Sequence, residues 1–188
     1  LDGFFAGCSS LTYIEPFYKH ADMTTAVRMF QNARITEFPL LNPENISDVS
    51  YMLSGTTITD LSRIQNKVLN WVNVSETFSG ISATTIENLN LPEALTFKIT
   101  FGNVSKVSNI QLPKATSVLF SNGVYNNNMT ALTEISNIYA PSLVNCNNMF
   151  TSSFALQTVV DCTFGQITSA QNMFKNCSKL LAVPALDY

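Results

Sequence analysis

Eight times along this chain a two-residue unit recurs, most often Met-Phe and always ending in Phe or Leu. The copies are Phe4-Phe5, Met29-Phe30, Met52-Leu53, Thr77-Phe78, Thr100-Phe101, Leu119-Phe120, Met149-Phe150 and Met173-Phe174. Successive second members lie 25, 23, 25, 23, 19, 30 and 24 residues apart. Self-similarity at a period of twenty-odd residues is the signature of a solenoid, in which one repeat is one coil and buries its apolar edge only against its neighbours. The period bears on function too, because stacked coils present long repeated surfaces more naturally than one deep cleft.

Taking the second member of each unit as position zero, position −4 carries a small or apolar residue: Leu1, Ala26, Val49, Val74, Phe97, Cys146 and Ala170, with Thr116 departing once. Position −7 carries Met23, Ile46, Trp71, Ala94, Leu143 and Ile167. This spacing predicts one buried edge ending in a short helical or 3-10 turn. Position +2 is Gly7, Asn32, Gly55, Gly80, Asn103, Asn122 or Asn176, with Ser152 as the exception. Gly and Asn tolerate positive φ, so the column reads as a left-handed stop.

A second edge follows in segments 11–14, 35–38, 58–61, 86–89, 107–110, 132–135, 156–159 and 180–183, each with apolar ends around a mostly polar middle. These are expected to be short parallel strands, each stacked on its counterpart in the next coil. Proline often follows, as at Pro16, Pro39, Pro92, Pro113 and Pro184, and ends the strand. Eight coils at about 4.8 Å each make a rod roughly 38 Å long. The fold class expected is therefore a β-rich solenoid of about eight coils, forming one domain over residues 1–188.

Two copies carry a more specific resemblance. Phe5-Ala6-Gly7-Cys8-Ser9-Ser10-Leu11-Thr12-Tyr13-Ile14-Glu15-Pro16 and Met173-Phe174-Lys175-Asn176-Cys177-Ser178-Lys179-Leu180-Leu181-Ala182-Val183-Pro184 resemble the repeat of the BspA-like leucine-rich-repeat family. Its members often read Met-Phe-x-x-Cys-x-x-Leu-x-x-Ile-Pro. The resemblance spans essentially the whole chain, with extra residues before the strand at Phe78 and Phe120 and one residue fewer after Phe30. It implies attachment or partner recognition on a bacterial surface or a phage particle. It implies no reaction and no catalytic residue.

Composition narrows the partners. Charged residues make up 12% of the 188 and the net charge is −3, against roughly 25% charged in an average domain. Ser, Thr and Asn take their place, which suits an extracellular, cell-surface or virion protein. The ten Lys and Arg are scattered, with no basic stripe and no interleaved aromatics, so nucleic acid is not an expected partner. No apolar run approaches the ~20 residues that span a bilayer, so direct membrane insertion is not expected. The chain begins inside a repeat at Leu1 and shows no polar cap at either end; solenoids need such caps, so a longer polypeptide is expected.

Cys8 and Cys177 share a repeat column seven coils apart, roughly 34 Å, too far to bridge. Cys146 occupies the −4 column and Cys162 lies outside the columns; a bridge between these two in adjacent coils is conceivable, but small buried thiols are the simpler expectation. No Cys-x-x-Cys spacing occurs, so neither a metal site nor a cofactor is expected. The single histidine, His20, follows the first strand with no nucleophile beside it, and a triad is not expected. Glu37 and Asp60 share one strand position in adjacent coils, about 4.8 Å apart, which is within the range of paired carboxylates in glycoside hydrolysis. Exposed strand positions carry such residues without chemistry, so the chain is read as no enzyme.

The exposed strand face is expected to be the binding surface. Its two columns read Thr12, Thr36, Thr59, Glu87, Ser108, Thr133, Gln157, Leu181 and Tyr13, Glu37, Asp60, Asn88, Asn109, Glu134, Thr158, Ala182. Tyr13, Glu37, Asp60, Glu87 and Glu134 are its candidate contacts. The longest gap in the period holds residues 121–131, and Tyr125 and Asn126 at its tip join them, since long loops on a rigid frame often carry binding. The segment 62–71 is expected to make a helical turn or two, with Trp71 in the core. The leading functional expectation is a recognition or adhesion module for a glycan or protein on a cell surface. The other is a structural spacer that contacts only neighbouring subunits of a large assembly.

Overall fold

A three-residue strand cannot hold itself; it forms where the coils on either side supply its hydrogen-bond partners. The computed structural model describes residues 1–15, 23–38, 45–120 and 129–186, and across them the chain winds as a parallel β-solenoid. Its strands are β1 Asn73–Ser75, β2 Thr85–Asn90, β3 Thr96–Lys98, β4 Lys106–Gln111, β5 Ser117–Leu119, β6 Glu134–Ala140, β7 Thr158–Val160 and β8 Thr163–Phe164. One sheet runs β1-β3-β5; the other runs β2-β4-β6-β7, with β8 also on β6, and every pairing is parallel. About four turns carry these strands, and isolated parallel bridges such as Thr25↔Asp48, Glu37↔Asp60 and Asn145↔Ser169 extend the pattern to both sides.

Part of the repeated Phe column enters the core, with Phe97 from position −4 standing in the line of rings where Phe101, half-buried, does not. Phe38, Trp71, Phe78, Phe97, Phe120, Phe150 and Phe174 form a continuous line of rings, with neighbouring centroids 5.3–6.4 Å apart. Phe5 stacks on Phe30 in the same manner at 5.5 Å. Trp71 is fully buried, as its −7 position predicts. Each ring hides more apolar area than any other side-chain type and leaves no polar atom to satisfy, apart from the indole N–H. A line of aromatic rings is therefore an economical core for thin coils.

The corner after the first edge differs from the expected helical turn. It is a succession of β-turns, closed in the second copy by Met29 N–H to Ala26 O, Gln31 N–H to Arg28 O and Ala33 N–H to Phe30 O. Two left-handed residues make it so. Gly7, Asn32, Gly55, Gly80, Ser152 and Asn176 have φ of 59–73°, which includes the serine that departs from the Gly/Asn rule. A second column at −2, with Gly3, Arg28, Tyr51, Glu76, Asn148 and Asn172, has φ of 55–65°. Positive φ at the third residue of a four-residue turn is the type II signature, and it halts a helix before one turn is complete. Asn103 does not follow its column; Gly102 beside it takes φ 131°. In segment 62–71, Gln65 N–H reaches Leu61 O, and left-handed Asn66 then stops the turn.

Two register expectations are corrected. Val118 pairs with Phe97, which pairs with Val74, so Val118 and not Thr116 continues the −4 column. Thr116 is exposed, and its N–H donates to Leu95 O one position earlier along the edge. On the second edge, Val107 pairs with Ile135 rather than with Leu132, and Ile110 with Ile138. Three buried columns run through this edge instead of two. A Leu-x-x-Ile motif fits either adjacent pair of columns, and the expected alignment used one pair in the middle copies and the other elsewhere.

Candidate functional site

The correction redistributes the strand-face residues. Glu37 and Asp60 do pair across adjacent coils. The next bridge toward the following coil on this edge is Val68↔Asn90. Thr85, Lys106, Glu134, Thr158 and Ala182 form the column that contains Glu134. Glu87 is not in line with the other acids; it pairs with Ser108, and Ser108 with Ser136. An acidic run through three successive coils is therefore absent among the described residues. Tyr13 stands on the first coil, 67% exposed. Tyr125 and Asn126 lie outside the described residues, as does His20.

Glu37, Asp60 and Glu134 each have a local partner. Arg63 Nη2 lies 2.6 Å from Glu37 Oε2, and Nη1 donates to Phe38 O at 2.7 Å. Asp60 Oδ1 accepts the Ser62 N–H at 2.8 Å. That backbone bond, followed by the Ser62 hydroxyl, holds the Asp60 carboxyl below its ordinary value. Lys106 Nζ sits 2.9 Å from Glu134 Oε1, which also accepts from Ser136 Oγ at 2.9 Å. Lys106 first, and then Ser136, lower the Glu134 carboxyl. General acid catalysis by a carboxyl at neutral pH needs the opposite displacement. Asp60 and Glu134 are thus suited to accept hydrogen bonds as anions, not to donate a proton.

The hydroxyl column beside them is largely committed to the fold. Ser105 Oγ donates to Thr84 O and Thr133 Oγ1 to Ser105 O, both at 3.0 Å, and Thr57 Oγ1 donates to Ile35 O at 2.9 Å. These bonds tie each coil to the one before it.

A surface that the sequence columns did not single out lies further along the second edge. Asn66, Asn88, Asn109, Asn137 and Asp161 all adopt φ of 53–58°. Asn88, Asn109 and Asn137 bend their strands at the same place, between paired residues on either side, and Asp161 falls between β7 and β8. Asn109 Nδ2 donates to Asn88 Oδ1 at 3.0 Å, and Asn137 Nδ2 to Asn109 Oδ1, so three side-chain amides form a hydrogen-bonded ladder. Two residues later, Val68, Asn90, Gln111, Tyr139 and Thr163 stand in register, each paired with the next. Asn recurring at a fixed offset from a strand is the signal that would have found this bend. Assigning Asn88 and Asn109 to the column of Glu134 concealed it.

The cysteines are separate thiols. Burial pushes Cys146 up to about 11 and Cys162 up to about 11, the latter helped by Asp161; burial also raises Cys177, whose Sγ donates to Phe150 O at 3.0 Å. Among the described residues, no group of three His, Cys, Asp or Glu side chains is placed to hold a metal ion, and no helix is long and apolar enough to cross a membrane. No family model, no curated protein and no solved structure matches this chain.

Proposed function

We propose that the chain is a non-enzymatic recognition module of the BspA-like leucine-rich-repeat type, displayed on a cell surface or a virion and binding a glycan or a protein there. The observation that carries this reading is the pair of long, regularly spaced side-chain columns on a solenoid face where hydrogen bonds and a lysine lower the carboxyls of Asp60 and Glu134. Such a surface binds by repetition. The count of eight coils belongs to the same proposal. It is supported by a chain of backbone bonds that steps from Gly3 to Val27, Arg28 to Ser50, Tyr51 to Ser75, Glu76 to Lys98, Ile99 to Leu119, Phe120 to Met149 and Phe150 to Met173.

The test is immobilised protein screened against bacterial surface polysaccharides and surface proteins, with Tyr13→Ala and a Glu37→Lys/Asp60→Lys double variant alongside. Saturable capture of a member of either class supports the reading, and a tenfold loss in these variants would place contacts on the acidic end of the face. The second reading, a spacer in a large assembly, is favoured by the exposed Leu181 and Val183 on either side of Ala182, whose bridge to Thr158 is the last described pairing. Failure to capture any ligand, together with self-association that Leu181→Ser abolishes, would replace the first reading by the second.

A further inference from the structure

The column Val68, Asn90, Gln111, Tyr139 and Thr163 differs in kind from the acidic end of the solenoid. Its members are uncharged and rise one coil at a time, about 4.8 Å per step. Val68, Tyr139 and Thr163 are exposed, Tyr139 by 41%, and Asn90 and Gln111 are half-buried. The two amides, the phenol and the Thr163 hydroxyl make no side-chain hydrogen bond among the described residues. Asn73, by contrast, has its amide occupied by Asp48, Thr96 and the Ser75 N–H. Beside the free column runs the Asn88–Asn109–Asn137 ladder. Its mutual bonds fix the amide planes and still leave at least one donor and one acceptor lone pair on each side chain. Asp161 at one end is the carboxylate within these two columns.

We propose that this double column is a binding strip for an extended, uncharged glycan lying along the solenoid axis. The chemistry separates a glycan from an extended peptide. Peptides add to sheets through free backbone edges, whereas the backbone of β4 and β6 is already spent on coil-to-coil pairs on both sides, and along this strip β2 is bonded to β4 on one side and to Asn66, Val68 and Leu69 on the other. What remains is a strip of planar amides and hydroxyls with one aromatic ring, which hydrogen-bonds sugar hydroxyls in both directions and stacks one pyranose face on Tyr139. Rigid amides lose little conformational entropy on binding. The absence of cations within the columns argues against an acidic polysaccharide.

This strip deepens the recognition reading and rests on it. The experiment is calorimetry of the full chain with linear β-linked glucose and N-acetylglucosamine oligomers of two to eight units, an oligogalacturonate, and an uncharged extended peptide. A neutral oligomer is expected to bind, with affinity rising to about five units, one per coil of the strip, and then levelling. Tyr139→Ala and Gln111→Ala are expected to weaken it at least tenfold, Tyr139→Phe about threefold or less, and Lys175→Ala, at an exposed residue outside both columns, not at all, with Tyr13→Ala and Glu37→Gln run alongside to probe the acidic end. Circular dichroism and thermal melting identify any variant that fails to fold. Binding that prefers the galacturonate, that selects the peptide, or that is lost only in the Tyr13 or Glu37 variants overturns the strip and leaves recognition standing. No binding to any probe, with no capture in the wider screen, overturns both.

Discussion

At the scale of single residues, the fold depends on a few backbone contacts that admit no side chain. Gly165 N–H donates to Leu143 O, and a Cβ on Gly165 would stand 2.5 Å from Pro141 O and 3.0 Å from Leu143 O. Neither carbonyl is the far end of a flexible side chain. Gly165→Ala is expected to destabilise the chain by about 1–3 kcal/mol, the usual range for overpacking, with urea denaturation as the measurement. An unchanged midpoint would mean that the coil parts there without cost. Thiol reactivity is set at the same scale. Cys8 is exposed, while Cys146 and Cys162 are pushed up to about 11 by burial. With iodoacetamide at pH 8, Cys8 is expected to be alkylated first, and Cys146 and Cys162 only after denaturant is added. Prompt labelling of Cys146 in the native protein would contradict the packing of the −4 column.

At the scale of elements, the Asn bend joins local conformation to sheet register. Left-handed φ costs an ordinary L residue roughly 1–2 kcal/mol, less for Asn, and the ladder amides add hydrogen bonds across coils. Asn109→Gly retains the bend and loses only the amide, whereas Asn109→Ala loses both. The alanine variant is expected to be the less stable by roughly 1 kcal/mol; equal stabilities would mean the bend costs alanine nothing there. The Lys106–Glu134 pair, which joins β4 to β6, makes stability depend on pH. Its carboxyl is lowered in the folded state, so its contribution is complete above the ordinary glutamate value of 4.5 and is lost as pH falls through the folded value. Both side chains are more than a third exposed, so the contribution is small, about 0.2–1 kcal/mol. Glu134→Gln is expected to flatten the acid limb of a stability profile below pH 4.5 and to change little at pH 7. An unchanged acid limb would assign that pH dependence to other carboxylates. These elements also show what the sequence makes legible. The left-handed +2 column, the core position of Trp71 and the Glu37–Asp60 adjacency can be read from spacing, because each depends on one repeat and its neighbour. The helical corner and the registers of Thr116 and Glu134 cannot. A turn of 3.6 periodicity and a run of type II turns place apolar residues alike, and a motif with three-residue spacing slides by three without breaking its pattern. The glycan strip stayed hidden for the same reason, since it becomes a column only once Val107 is paired with Ile135.

At the scale of the whole molecule, stability should behave as that of a one-dimensional stack. Each coil touches only its neighbours, so a defect in a central coil removes two interfaces and a defect near either end removes about one. The line of rings gives this idea a direct measure. Phe97 is fully buried and contacts rings on both sides, Phe78 at 6.2 Å and Phe120 at 5.9 Å. Phe174 is only partly buried and stacks on Phe150. Phe97→Ala is expected to cost about 3–5 kcal/mol, the range for a buried aromatic truncated to alanine. Phe174→Ala should cost clearly less. The more informative reading is where protection is lost. In native-state hydrogen exchange, Phe174→Ala should loosen the amides of the last coils, including Lys175, Cys177 and Leu181, and leave β1, β3 and β5 protected. Phe97→Ala should loosen the coils on both sides of it. If Phe174→Ala instead lowers protection uniformly from β1 to β7, the solenoid unfolds as one cooperative block. The coils would then be coupled beyond nearest neighbours, and a ligand bound along the strip would stabilise the entire stack rather than the coils it touches.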